Sequence, residues 1–192
     1  MPTLTQILPA NDIGFLRIVS TLWGIELVST DPAQAALELA DSLCDVELLE
    51  EVVTTLPADG RSALQALFDQ NGRMPWAVFA RRYGEIREMG AGKRDREQPQ
   101  SRPVSAAEVL FYRALLAKAF FDPEKTSLEK LPGKGVQEYA FIPDDLFSAL
   151  DFSGIFAGSQ QQEMPDEMLD ETPFDEEPVI ESQPAAETAD TD

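Results

Sequence analysis

Helix starts and stops follow one another so closely along this chain that its apolar periodicity is cut into short pieces. Asn11 or Asp12 caps a helix in which Ile13, Leu16, Val19, Leu22 and Trp23 recur at three- and four-residue steps, and Gly24 followed by Ile25 ends it. An extended piece, 25–30, leads to Asp31 as N-cap and Pro32 at the first helical position; Ala36, Leu37, Leu39, Ala40 and Leu43 then make a second apolar face. Asp45 starts a third helix that Pro57 closes. Asp59 caps a fourth, stopped by Asn71 and Gly72, and Pro75 at the first helical position opens a fifth, stopped by Gly84. Helices this short hold their shape by packing apolar faces together, so the pattern predicts a tight helical array.

In the fifth helix Trp76, Phe79, Ala80 and Tyr83 share one face, which makes them core residues and places Arg81 and Arg82 on the opposite side. From Glu85 to Pro103 no apolar period survives, and the run of Gly, Pro and charge reads as a mobile loop of nearly twenty residues. Ser105 to Glu108 then form a capping box, with Val104 and Val109 placed for a hydrophobic staple, and open a nearly all-apolar helix that continues to about Phe121. Alternation from Val136 to Ile142 fits a strand. With Phe120 and Phe121 leading into its partner, 120–142 reads as one β-hairpin whose tip carries Lys125, Lys130 and Lys134. After Pro143, Asp144 or Asp145 caps a last short helix with Leu146, Phe147 and Leu150.

Charge divides the chain. The formal net charge is -20, but residues 151–192 hold thirteen Asp and Glu and no Lys or Arg, which leaves 22 acids against 15 bases, a net of -7, for the first 150. The acidic stretch is rich in Pro, Gln and Ser and cannot bury enough apolar surface to offset its ordering entropy, so it is expected to be disordered. The expected architecture is therefore mainly α. A helical N-terminal subdomain (1–57) precedes a winged-helix-like domain with one β-hairpin (58–150), and a disordered acidic C-terminal tail (151–192) follows.

Two stretches carry a family resemblance. LRIVSTLWGIELVSTDPAQAALELADSLCD resembles the helix, extended loop, helix unit of the SAP type, which in many proteins binds DNA. Where such units carry Lys or Arg at the start of the second helix, this chain has Asp31, Pro32, Ala33 and Gln34, so packing explains the stretch better than phosphate binding. The stretches GRMPWAVFARRYGEIREMG, VSAAEVLFYRALLAKAFFD and QEYAFIPDDL, together spanning about half the chain, resemble the winged-helix accessory region found beside XPB-type helicases in bacteria. That resemblance implies a winged-helix fold and a working place in DNA transactions. It implies no catalysis, because the motor parts of such helicases are not in this sequence.

The chemistry the residues allow is narrow. There is no histidine, which removes Ser-His-Asp and Cys-His nucleophilic systems and imidazole zinc sites. Gly92 and Lys93 are followed by Arg94 rather than Ser or Thr, so no phosphate-cradling loop forms there. Cys44, the lone cysteine, sits in an apolar helical pattern and reads as a buried, inert thiol. No catalytic residue, metal site or cofactor is expected. The start of the sequence lacks a basic, apolar leader pattern, and no apolar run approaches a membrane span of about 18 to 20 residues. A cytoplasmic chain without a membrane partner is expected.

Between Arg73 and Arg102 lie eight of the fifteen Lys and Arg residues. Arg81, Arg82, Arg87, Lys93, Arg94, Arg96 and Arg102, with Arg113 on the following helix, are the candidate contacts for a nucleic acid or a protein partner. Three readings stay open. The chain is a protein-binding adaptor in a DNA-associated process that uses its apolar third winged-helix helix and its long loop. Alternatively, the basic loop 81–102 binds nucleic acid weakly and without sequence preference, with the acidic tail competing for it. The third reading is a solvated loop whose mixed charges pair with one another.

Overall fold

The computed structural model describes residues 1–9, 11–121 and 136–156. After a one-turn helix α1 (Leu4–Ile7), the carboxylates expected as caps set the starts of three helices. Asp12 accepts a hydrogen bond from the Phe15 amide ahead of α2 (Ile13–Trp23), Asp31 from Gln34 ahead of α3 (Pro32–Leu43), and Asp45 from Leu48 ahead of α4 (Val46–Thr55), each at 3.0 Å. Helix α2 ends as expected: Gly24 takes a left-handed φ of 68°, and the Ile25 amide reaches back to the Ser20 carbonyl at 2.8 Å.

The second half runs α5 (Ala58–Asp69), β1 (Arg73–Pro75), α6 (Trp76–Tyr83), α7 (Ala91–Glu97), α8 (Ala106–Phe111), β2 (Ala117–Phe121), β3 (Gln137–Phe141) and α9 (Asp144–Ser153). The three strands form one antiparallel sheet in the order β1-β3-β2, with Met74 and Lys118 both opposite Ala140. Helix, strand, two helices and two strands, with the first strand beside the last, is the winged-helix arrangement, and α7 is inserted between its second and third helices. The chain is mainly helical around this small sheet.

Several expectations are corrected. β2 and β3 pair antiparallel where the hairpin was expected, and β1 adds a third strand that was not. The helix that starts at Ser105 stops at Phe111 instead of reaching Phe121. There the Ala114 backbone turns left-handed (φ 56°), the Leu115 amide bonds the Leu110 carbonyl, and the apolar residues that follow enter β2. Apolar periodicity cannot separate a buried helix from a buried strand when no Gly or Pro marks the break. The expected loop 85–103 contains α7. Ser105 accepts the Glu108 amide as the box requires, but Val104 stays largely exposed, so the staple does not close. Pro57, Pro75 and Pro143 hold the N-cap positions of α5, α6 and α9, leaving Asp59, Asp144 and Asp145 in first turns. Asp145 instead accepts the Leu4 amide with both its oxygens, at 2.9 and 3.1 Å.

The described residues pack as one compact unit. Its core runs from Leu16 and Leu39 through Leu64, Leu67 and Phe79 to Leu110 and Phe141, all fully buried. No helix among the described residues is long and apolar enough to cross a membrane. The lysines expected at the hairpin tip, Lys125, Lys130 and Lys134, and residues 157–192 of the expected disordered tail lie outside the described residues.

Candidate partner-binding surface

The basic island does not stay together as a display surface. Arg94 on α7 is only 5% exposed and grips Asp12 with both terminal nitrogens, Nη1 to Oδ2 at 2.6 Å and Nη2 to Oδ1 at 2.9 Å. The hydrogen bonds and charge of Arg94 hold the Asp12 carboxyl below its usual range, and those of Asp12 in turn raise the Arg94 guanidinium above its own. The pair fastens the inserted helix to the start of α2. Gly14 makes room for it, since a methyl group there would lie 2.6 Å from Arg94 Nη2.

Arg87 turns inward as well. It donates from Nε and Nη2 to Glu108, each at 2.8 Å, and Glu108 also accepts the backbone amides of Arg87 and Val104. Glu108 is fully buried. Desolvation alone would raise its carboxyl, but the Arg87 hydrogen bonds, the two amides and the Arg87 charge together outweigh it and hold the group below the usual carboxylate range. Arg113 donates to the Val109 carbonyl at 3.0 Å, and burial lowers its guanidinium. Lys93 pairs with Glu97 on the same helix at 3.7 Å. Arg81, Arg82, Arg96 and Arg102 remain exposed and form no ion pair among the described residues; Arg82 lies over the Tyr83 ring, 5.3 Å from its centroid.

Helix α8 occupies the place that a DNA-reading helix takes in winged-helix proteins, but here it has no open face. Residues 107–110 are buried and Ala106 and Phe111 half-buried. Helix α5 covers one side; from α2, Phe15 packs on Phe111 and Tyr112 at 5.4 and 6.0 Å between centroids, and Trp23 Nε1 donates to the Arg113 carbonyl at 2.9 Å.

Among the described residues, the β2 edge of the sheet has no outer partner, and the strand's only backbone partner is β3. On one face, Ala117 and Ala119 border a cavity of about 780 Å³ whose walls are apolar at Phe15, Ile86, Met89, Phe111 and Phe141 and charged at Asp12, Arg87, Glu88, Arg94 and Lys118. On the other face, Lys118 and Glu138 border a groove of about 640 Å³ with Trp76, Glu85 and Glu88. The Lys118 ammonium stands 4.7 Å from the Trp76 ring centroid and 3.6 Å from both Glu88 and Glu138. The sequence offered no sign of this pair of recesses, since Ala117 and Ala119 read there as helix interior. Cys44 is half-buried, and burial raises its thiol, with Asp145 and Asp41 adding to the effect.

Among the described residues, fold and site define a winged-helix-like body whose third helix is enclosed and whose strand β2 has no outer backbone partner. Comparison with family models, curated proteins and solved structures finds no match for this chain.

Proposed function

We propose that the chain is a non-enzymatic winged-helix-like interaction module that holds a protein partner in a DNA-associated process. The observation that carries this reading is the enclosure of α8, whose residues are covered by α5 and α2 where a groove-reading helix needs a free face. The use of the acidic groups inside the fold supports it too: Asp12 and Glu108 are held in ion pairs, and Asp145 binds a backbone amide. The DNA-associated setting rests on the resemblance to helicase accessory regions. The adaptor surface shifts from the third helix, which is covered, to the open strand edge.

A second reading draws on the four exposed arginines Arg81, Arg82, Arg96 and Arg102. They could meet phosphates without reading bases, and the acidic segment 151–192 would compete with nucleic acid for them. Titration of the full chain with duplex and single-stranded DNA at two salt concentrations separates the two. The module reading expects no saturable binding tighter than about 100 μM near physiological salt, the weak end of non-specific affinity. Four phosphate contacts would instead give saturable duplex binding with a log-log salt slope of about -3.6, and that result would overturn it.

A further inference from the structure

We propose that the outer edge of β2 takes an extended segment of a partner protein in which apolar residues alternate with Lys or Arg. The inference rests on the reading of the chain as a protein-interaction module and gives that module a site and a partner chemistry.

The argument begins with the edge. A strand whose outer backbone groups lack a described partner is a template for another strand, and main-chain hydrogen bonds supply affinity without regard to sequence. An added strand would lie about 4.8 Å from β2 and send successive side chains to opposite faces of the sheet. Those two faces differ here. Beside Ala117 and Ala119 the cavity opens over an apolar floor of Phe15, Phe111 and Phe141, the last opposite Ala117, while Glu88 and Lys118 stand at the margin it shares with the groove on the other face. Alternate side chains of the incoming strand that point this way gain most by being apolar.

The other face favours a cation. The groove beside Lys118 carries Glu85, Glu88 and Glu138, while Arg87 on its wall is neutralised by the buried Glu108. Three carboxylates against one remaining ammonium leave the groove acidic. Glu88 is 88% exposed and open to a partner. Lys118 occupies the face of the Trp76 ring, so an incoming ammonium or guanidinium is met by the exposed Glu88 and by Glu85 rather than by the ring. Phe120, 69% exposed on the same face, extends the surface along β2. Residues 1–156 carry 23 acids against 15 bases, a net of -8, which favours a basic segment over the chain's own acidic residues 157–192 as the occupant.

The test uses the full chain and three labelled eight-residue peptides: one alternating valine and lysine, one alternating valine and glutamate, and one with four valines followed by four lysines. The alternating basic peptide is expected to bind saturably, at least tenfold tighter than either of the others, and to protect from hydrogen exchange the outward-facing amides of 117–121, those not already bonded to β3. Ala119→Leu, which fills the cavity, and Glu88→Lys, which reverses charge at an exposed position, are each expected to weaken it at least fivefold. Equal binding of the block peptide, no effect of either variant, or protection elsewhere would overturn the proposal. Protection, in the peptide-free chain, of the outward-facing amides of 117–121 that do not bond β3 would overturn it too, naming a second copy if it grows with concentration and the chain's own acidic segment if it does not. The DNA titration run alongside keeps the two levels apart. Salt-steep duplex binding overturns the module reading, whereas failure of both DNA and peptide overturns only the β2 site.

Discussion

The Arg94 guanidinium is buried against Asp12, the same carboxylate that caps α2, although the two residues stand 82 positions apart. One side chain thus ends a helix, neutralises a buried cation and ties the inserted α7 to the N-terminal array. The two partners differ in exposure: side-chain accessibility is 6% for Arg94 and 31% for Asp12. Asp12→Ala strands a buried charge and removes a cap, and is expected to cost about 3 kcal/mol, toward the low end for breaking a buried pair because Asp12 is partly solvated. Arg94→Leu removes the buried charge itself and leaves a carboxylate that still caps, so it should cost clearly less. Urea midpoints of the two variants check the order, and equal or reversed costs would falsify the account.

Gly14→Ala should destabilise, against its propensity. In an exposed helix interior, replacing Gly by Ala gains about 1 kcal/mol. Here the new methyl would stand 2.6 Å from Arg94 Nη2 and 3.3 Å from Asp12 Oδ1. Because Arg94 is fixed by Asp12, it cannot swing aside without losing the pair. A lower thermal midpoint is expected for Gly14→Ala in the native background, and a smaller loss or a gain in the Arg94→Leu background.

Glu108 makes stability depend on pH with a sign that one substitution reverses. In the native protein its carboxyl is held below the usual range, as is that of Asp12. A depressed acid contributes stability that is complete above the unfolded-state value, about pH 4, and is lost as pH falls through the lower folded-state value. The unaltered chain should therefore lose stability in acid below about pH 4. Arg87→Met removes the partner and leaves burial to dominate, which raises the Glu108 carboxyl. The variant should be destabilised at pH 7 and partly recover toward pH 5 as the acid becomes neutral. Thermal midpoints across that range decide it, and a variant whose loss is the same at both pH values would refute the assignment.

Ala114 holds a left-handed backbone at φ 56°, a conformation that costs an L-residue roughly 1 kcal/mol. Ala114→Gly relieves that strain but adds freedom to the unfolded chain, so it should change stability by less than about 1 kcal/mol in either direction. Ala114→Val adds a β-branched side chain at the same φ in a site only 2% exposed, and should lower the thermal midpoint by several degrees. Similar losses in both variants would show that packing around the methyl group, rather than the backbone angle, dominates there.

Local signals were legible where a residue acts on its neighbours within a turn. Asp12, Asp31, Asp45 and Ser105 accept the amides three positions ahead that their types and places announce, and Gly24 and Gly72 take the left-handed turns expected of them. The aromatic face of α6 is core, with Phe79 packed between Trp76 and Tyr83. The run from Ala106 to Phe121 was not legible, since a continuous apolar stretch has the same pattern as helix or as strand, and Ala114 gives no hint of the turn it makes. The strand β1 is three residues long, too short for any period to register.

The candidate surface was legible in composition and not in use. The basic island from Gly72 to Ser105 is plain in the sequence, but its charge says nothing of direction: Arg87 and Arg94 face inward while Arg81 and Arg82 face out. The partners that turn them inward, Glu108 and Asp12, lie 21 and 82 positions from them. The sequence by itself determined the helical character, the caps and the separation of an acidic stretch from a mildly acidic body, because these follow from propensity and spacing over a few residues. Only the tertiary structure decided which charges are buried, that α8 is enclosed and that β2 is an edge. Those outcomes depend on contacts between distant segments, and no local pattern encodes which distant segment arrives.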